Sequence, residues 1–459
     1  MPSSKPPLRP RFGGVLFNGV PPRANRLQLR YVDDSAAQSG IHFDIDGRCE
    51  GEIRVNWQGL RAEPTDCEVK ALWSALGALV IQHALPRRVE DLPSLQEPAA
   101  RSLRDLLGML YDIRAFCDES PFRRAPGPPV ASGTSRRPSG GLDPRRVLIL
   151  LSGGFDSTMA AILLKEAGLD VVGLHIRSNR HVEVVEAAAA RSVAEWMGIP
   201  LHEVGLDFPQ QEPIGRYYSR SFGEYPFYNS VPHGRDFALA VIASMVARRL
   251  GCGSVAFGHE KESRSKSFEH DGRIIHRHDV ESRYGFGLAT AFVEQAMSSD
   301  VRLFSPVAGW SIYRIRRTIF EHYPDVAPVI QSCFWGRRCE KCLKCLSAYT
   351  MQRHLGIDSI PFTTNPFADR DDRDMALFAS PDRPTERLAY GPQMHYAMAL
   401  IVASGRQLAA DWWLDRFRED ALPLVERHWD RIERLCLDID PAEEAPLAVR
   451  RALESQVWA

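Results

Sequence analysis

From residue 15 to residue 57 apolar and polar positions alternate, as in Ile41-His42-Phe43-Asp44-Ile45-Asp46 and Ile53-Arg54-Val55-Asn56-Trp57. A period of two is that of half-buried strands, and it predicts about four antiparallel strands. The period then lengthens to that of helices over 68–85, stopped by Pro86, and over 99–117, where Leu103, Leu106, Leu107 and Leu110 recur. Residues 1–123 therefore read as a small β/α domain. Pro, Gly, Ser and Arg dominate 124–145, too few apolar groups to bury, which predicts a flexible linker. After it, an apolar run at 147–151 and strand-like segments at 170–176, 201–204 and 254–257 alternate with helical patterns at 157–168, 182–197 and 236–250. Strands buried on both faces look like this, so 146–356 is expected to be α/β with a parallel sheet. Residues 357–459 begin with polar loop, including the run Asp369-Arg370-Asp371-Asp372-Arg373-Asp374. They go on to helical patterns at 390–404, 408–417 and 422–437, a C-terminal helical extension.

Composition adds mainly exclusions. With 57 basic and 58 acidic side chains, 44% hydrophobic and 25% charged residues, the chain resembles an average globular protein with no bias toward nucleic acid or anionic membrane. No apolar run approaches the roughly 20 residues that span a bilayer, and Met1-Pro2-Ser3-Ser4-Lys5-Pro6-Pro7 lacks the apolar core of a secretion signal. A cytoplasmic location is the resulting expectation. Nine cysteines are too few for a disulfide scaffold. Cys49, Cys67, Cys117, Cys252 and Cys436 are scattered, whereas Cys333, Cys339, Cys342 and Cys345 share one short stretch.

The strand ending at Leu151 runs into Ser152-Gly153-Gly154-Phe155-Asp156-Ser157 and a helix. Two glycines let backbone amides approach an anion, the hydroxyls of Ser152 and Ser157 can donate to it, and the helix N-terminus adds its dipole, with Ser157 the expected cap. Asp156 would repel phosphate, so its expected job is to hold Mg²⁺ or to position the loop. The string resembles the PP-loop of the N-type ATP pyrophosphatases, which implies adenine-nucleotide alpha-hydrolase-like architecture and cleavage of ATP between its α and β phosphates. No Walker A string occurs in the chain.

Cys333-x5-Cys339-x2-Cys342-x2-Cys345 supplies four soft ligands among Arg and Lys, which suits a closed, structural zinc site. An iron-sulfur cluster is the rival, because spacing does not separate the two. A PP-loop domain ending in such a cluster is similar to the 7-cyano-7-deazaguanine synthases, the QueC family, over about 146–356. Gly173-Leu174-His175-Ile176-Arg177 and Val231-Pro232-His233-Gly234-Arg235 stand where the family has related segments. The resemblance implies ATP binding by Leu151, Ser152, Gly153, Gly154, Phe155, Asp156, Ser157, His175 and Arg177. It also implies catalysis by Asp156, Ser157 and Arg235, substrate contact by Arg235, Gly258, His259 and Glu260, and metal at the four cysteines. The chain departs from the family at Asp236, where the asparagine of a V-P-G-R-N-like turn is expected, at Arg177-Ser178-Asn179-Arg180-His181, and at His259-Glu260-Lys261-Glu262-Ser263-Arg264. From the residues alone, His175 reads as a satisfied strand-end histidine, and His259-Glu260 as a candidate proton-transfer pair.

The added N- and C-terminal segments make the chain more similar to the QueC-like proteins of bacterial anti-phage operons, the QatC and type IV CBASS types. That likeness implies adenylation of 7-carboxy-7-deazaguanine and amide formation with an amine on a partner protein held by the added domains; a homodimer is also compatible. Position 2 is Pro, not the Cys of an N-terminal glutaminase, so ammonia would come from outside. The competing readings are a synthase releasing the free nitrile and an inactive PP-loop scaffold or nucleotide sensor.

Overall fold

A computed structural model describes residues 11–12, 15–16, 24–35, 37–47, 49–60, 63–84, 86–115, 141–178, 183–207, 235–265, 267–270, 273–276, 279–333, 338–340, 342–367, 392–406, 411–440 and 445–454. Of the expected linker, 124–140 lies outside these, as do Asn179, Arg180, His181, the turn Val231-Pro232-His233-Gly234 and the acidic run at 369–374.

A nine-stranded sheet organises the chain. The α/β half holds β7 (Asp143–Leu150), β8 (Asp170–Ser178), β9 (Leu201–Asp207), β10 (Cys252–Ala256) and β13 (Arg302–Phe304), all paired in parallel in the order β13-β10-β7-β8-β9. Helices α3 (Phe155–Glu166), α4 (Glu183–Met197) and α5 (Arg235–Arg249) follow strands in the expected alternation. The N-terminal half contributes β3 (Arg26–Ser35), β4 (Gln38–Ile45) and β5 (Cys49–Asn56), an antiparallel meander, with β6 (Arg88–Glu90) at its edge. Ahead of the meander, β1 (Arg11–Phe12) pairs antiparallel with β2 (Val15–Leu16).

The sheet is continuous from one half to the other. β5 pairs antiparallel with β9 through Arg54 opposite Asp207, Val55 opposite Leu206 and Asn56 opposite Gly205. Helices α1 (Asp66–Ala84) and α2 (Glu97–Ala115) pack on α5 and on α7 (Arg283–Ala296). One apolar core runs from Leu27, Phe43 and Leu79 to Phe237, Val241 and Phe292. At this junction Glu68, fully buried, accepts from Arg248 at 3.0 Å and Arg249 at 3.2 Å and closes a capping box with Thr65, whose amide donates to it at 2.8 Å. A buried carboxylate needs such partners, and removing them would leave a costly charge inside.

On the opposite face α3 and α8 (Ile312–His322) share a second core with α9 (Leu343–Leu355), α10 (Pro392–Ser404) and the C-terminal helices α11 (Asp411–Asp420), α12 (Leu422–Arg427) and α13 (Trp429–Leu437). The helix expected over 422–437 is two helices, broken at His428. This extension reaches the strand-end loops. The Lys261 ammonium lies 3.2 Å from Asp440, Arg314 donates to Leu437 O at 2.8 Å, and Asp440 N donates to Gly309 O at 3.1 Å. Among the described residues, no helix is long and apolar enough to cross a membrane.

Candidate functional site: a phosphate loop beside a four-cysteine knuckle

The loop between β7 and α3 owes its shape to small residues. Gly153 has φ of +75°, and a Cβ there would lie 2.6 Å from Ala189 Cβ on α4, so only glycine fits. Gly154, rather than Ser157, is the N-cap of α3. Ser157 sits within the first turn. Its Oγ accepts from Ser152 N at 3.2 Å, exchanges a hydrogen bond with Ser152 Oγ at 3.0 Å and donates to Gly154 O at 3.3 Å, drawing the loop into a closed turn. Phe155 is buried against Phe320 at 5.6 Å between ring centres, which anchors the helix start.

Asp156 stands apart from this satisfied frame. Its Oδ1 is buried and has no hydrogen-bond partner among the described residues. Burial, and next the Glu260 carboxylate, push its carboxyl up to about 7, against the opposing charges of Arg316 and Lys344. An orphaned carboxylate oxygen beside a phosphate-shaped loop fits a hard divalent cation such as Mg²⁺, which favours oxygen ligands. Arg316, from α8, is buried over the Phe155 ring at 5.2 Å and donates to Ser347. Lys344 lies in the first turn of α9, whose N-cap is Cys342. Neither residue was among the site residues expected from sequence. Lys344 was legible only as one of the charges inside the cysteine motif, and Arg316 carries no local signal.

The cysteines meet as their spacing predicts. The Sγ atoms of Cys333, Cys339, Cys342 and Cys345 all lie within 4.8 Å of one another, with Cys333 to Cys342 at 3.8 Å, Cys339 to Cys345 at 4.0 Å and Cys342 to Cys345 at 3.6 Å. Four sulfurs bound tetrahedrally to one ion at about 2.3 Å would stand roughly 3.8 Å apart. The site therefore could hold Zn²⁺, whereas a four-iron cluster, with each thiolate on its own iron, needs a wider cage. Thiols this close cannot ionise together unaided: hydrogen bonds with Cys333 and Cys342, then burial, push the Cys345 thiol far up. The amides of Cys339 and Cys342 donate to Cys333 Sγ at 3.4 Å and Cys339 Sγ at 3.2 Å. Glu340, at φ +57°, ties the knuckle to Thr363 and Thr364, whose amides donate to it at 2.9 and 2.6 Å. Burial would raise its carboxyl, but these hydrogen bonds hold it below the usual range. The knuckle also grips the loop, since Gln331 N donates to Gly153 O at 2.8 Å.

The remaining expected residues occupy mixed positions. His175 is buried and its Nδ1–H donates to Leu151 O at 2.8 Å, a strand-end clasp behind the loop. Arg177 is 3.4 Å from Glu203, 41% exposed, on the rim of β8. Gly258 abuts α3, where a Cβ would meet Ser157 N at 2.7 Å. Glu260 accepts from Ser263 N at 3.2 Å and Ser263 Oγ at 3.1 Å, which caps the short turn α6 (Lys261–Ser265). Arg235 lies 3.4 Å from Asp236.

Residues 146–357 match the family model described as Queuosine biosynthesis protein QueC. The chain is 32% identical over 141 residues to the tRNA-specific 2-thiouridylase MnmA of Rhizobium etli, covering 28% of this chain and 34% of that protein. It is 42% identical over 127 residues to the MnmA of Sulfurimonas denitrificans, covering 27% of this chain and 37% of that one. The chain thus spans about a third of the length of these curated relatives. The stretch that matches that family model, 146–357, holds both the Ser152–Ser157 loop and the four-cysteine knuckle.

Proposed function

We propose that this protein is an ATP-dependent carbon-nitrogen ligase of the PP-loop class that adenylates a deazaguanine carboxylate, 7-carboxy-7-deazaguanine, and passes the acyl group to an amine. The observation that carries the reading is the buried, unpartnered Asp156 Oδ1 at the mouth of the Ser152–Ser157 turn, under the charges of Arg316 and Lys344. Such a site suits a polyphosphate and its cation. A carboxylate oxygen attacks the α phosphorus, the bond to the bridging oxygen of the β phosphate breaks, and pyrophosphate leaves toward the loop. The amine nitrogen then attacks the acyl carbon, loses a proton to solvent, and AMP departs. Backbone amides of the loop, Arg316 and Lys344 neutralise the departing pyrophosphate. Asp156 would hold Mg²⁺, which would supply neutralisation of phosphate charge. The four cysteines would hold Zn²⁺, and the knuckle they close would keep the start of α9, and hence Lys344, in place.

The N-terminal half of the sheet and the C-terminal helices, both packed on the PP-loop domain, support a partner protein as amine donor, in the manner of the QatC and type IV CBASS types. The test is mass spectrometry of the products formed from ATP, Mg²⁺ and the deazaguanine acid, with ammonia and with proteins encoded beside this one. A mass addition on a protein amine supports the ligase. A free nitrile instead favours a queuosine-type synthase, and ATP binding without substrate-dependent turnover favours a scaffold or nucleotide sensor.

A further inference from the structure

Three residues outside the phosphate loop and the knuckle come together beside them. Asp236 lies in the first turn of α5, His259 follows β10, and Glu281 ends the 3₁₀ turn Asp279–Glu281 ahead of α7. One ligand atom from each lies within 4.8 Å of the other two. The ring of His259 is held between Phe257 at 4.9 Å and Phe286 at 5.3 Å and is 7% exposed, so its direction is fixed by packing. The Asp236 and Glu281 carboxyl groups are in hydrogen-bond contact with each other. Two carboxyls in contact need a shared proton or a cation between them. Arg235 lies 3.4 Å from Asp236 Oδ1, longer than a charge-assisted hydrogen bond, and its charge acts on Glu281 as well as on Asp236.

The sequence had marked two of these residues separately, Asp236 in place of an expected asparagine and His259 in a strand-end segment unlike the family's. The fold unites them and adds Glu281. A nitrogen and two carboxylates make a donor set of first-row divalent ions, whereas Mg²⁺ and Ca²⁺ prefer oxygen alone. Three protein ligands leave coordination positions open. Gly258, next to His259, touches the start of α3, which places the cluster beside the phosphate loop.

We infer that Asp236, His259 and Glu281 bind a divalent transition-metal ion, separate from the four-cysteine site and from Asp156, whose open positions take a carboxylate or phosphate oxygen of the substrate. Ion binding stands independently of the ligase reading, because the ion binds without nucleotide; only the substrate contact rests on that reading. It is tested with Mn²⁺, which thiolates do not favour, on the full chain with its knuckle loaded with zinc. Electron paramagnetic resonance should count one bound Mn²⁺ per chain, and its pulsed form should show the nitrogen of one histidine. Asp236→Asn and His259→Gln should each weaken Mn²⁺ binding by about tenfold or more, at unchanged zinc content and far-ultraviolet dichroism, while Asp156→Asn keeps the ion. The inference is overturned if the wild-type chain binds no Mn²⁺, if the bound ion shows no histidine nitrogen, or if Asp156→Asn is the variant that loses it. The histidine signal is read on the wild type, so it decides the matter even if a variant fails to fold.

Discussion

The Ser152–Ser157 loop and the side-chain cluster beside it are built in opposite ways. The loop is six consecutive residues, Ser152 to Ser157, whose hydroxyls and backbone close on one another within 3.0 to 3.4 Å. The cluster is assembled from three places in the chain: Arg235 and Asp236 at the start of α5, His259 after β10, and Glu281 at the end of a 3₁₀ turn. A loop that binds through amides is fixed by short-range sterics. A side-chain cluster depends on how whole helices dock, so it can change its ligand without disturbing the loop.

The strongest way to sharpen that contrast is Asp156→Asn. Turnover of ATP should fall about 10²- to 10³-fold, while the fold persists. Burial raises this carboxyl to about 7 in the native state, above its unfolded value. The native state therefore binds the extra proton, and the group favours folding below the unfolded value and loses that favour as pH rises through about 7. Above that pH, in the absence of divalent cations, the variant should be more stable than wild type, on the order of 1–3 kcal/mol, as read by chemical denaturation. Equal stability at pH 8 would contradict the buried-carboxyl account.

Gly153→Ala should act on the same side through sterics instead of charge. Positive φ and a contact at 2.6 Å both resist the methyl group, so unfolding free energy should drop by about 2–4 kcal/mol and nucleotide binding with it. A variant with the wild-type melting temperature would show that α4 yields easily. Arg177→Ala should do least. Its partner Glu203 also receives Arg191 at 2.5 Å, so stability should change by less than about 0.5 kcal/mol and the KM for ATP by less than about threefold. A large rise in that KM would bring Arg177 from the rim onto the phosphates.

The same distinction explains what the sequence disclosed. The alternating βα pattern, the loop and the cysteine spacing depend on neighbours a few residues apart, and each is where its pattern placed it. The helix cap moved from Ser157 to Gly154 because the hydroxyl serves the loop's own turn. Arg316 was hidden because only the docking of α8 on Phe155 brings it there, and Glu281 because a 3₁₀ turn has no periodicity to read. The pairing of β5 with β9 was equally silent, since an edge strand's partner is not written in its alternation. Buried Glu68 meets Arg248 and Arg249 only because α1 docks on α5, a contact with no local signal.

Cleavage of ATP between its α and β phosphates on behalf of a carboxylate is the step we propose for the loop. It is tested most directly by exchange of labelled pyrophosphate into ATP, with Mg²⁺ and 7-carboxy-7-deazaguanine and no amine. Exchange that requires the acid and disappears in Asp156→Asn is the predicted result. Exchange absent from the wild type with that acid present, or retained in full by the variant, would contradict it.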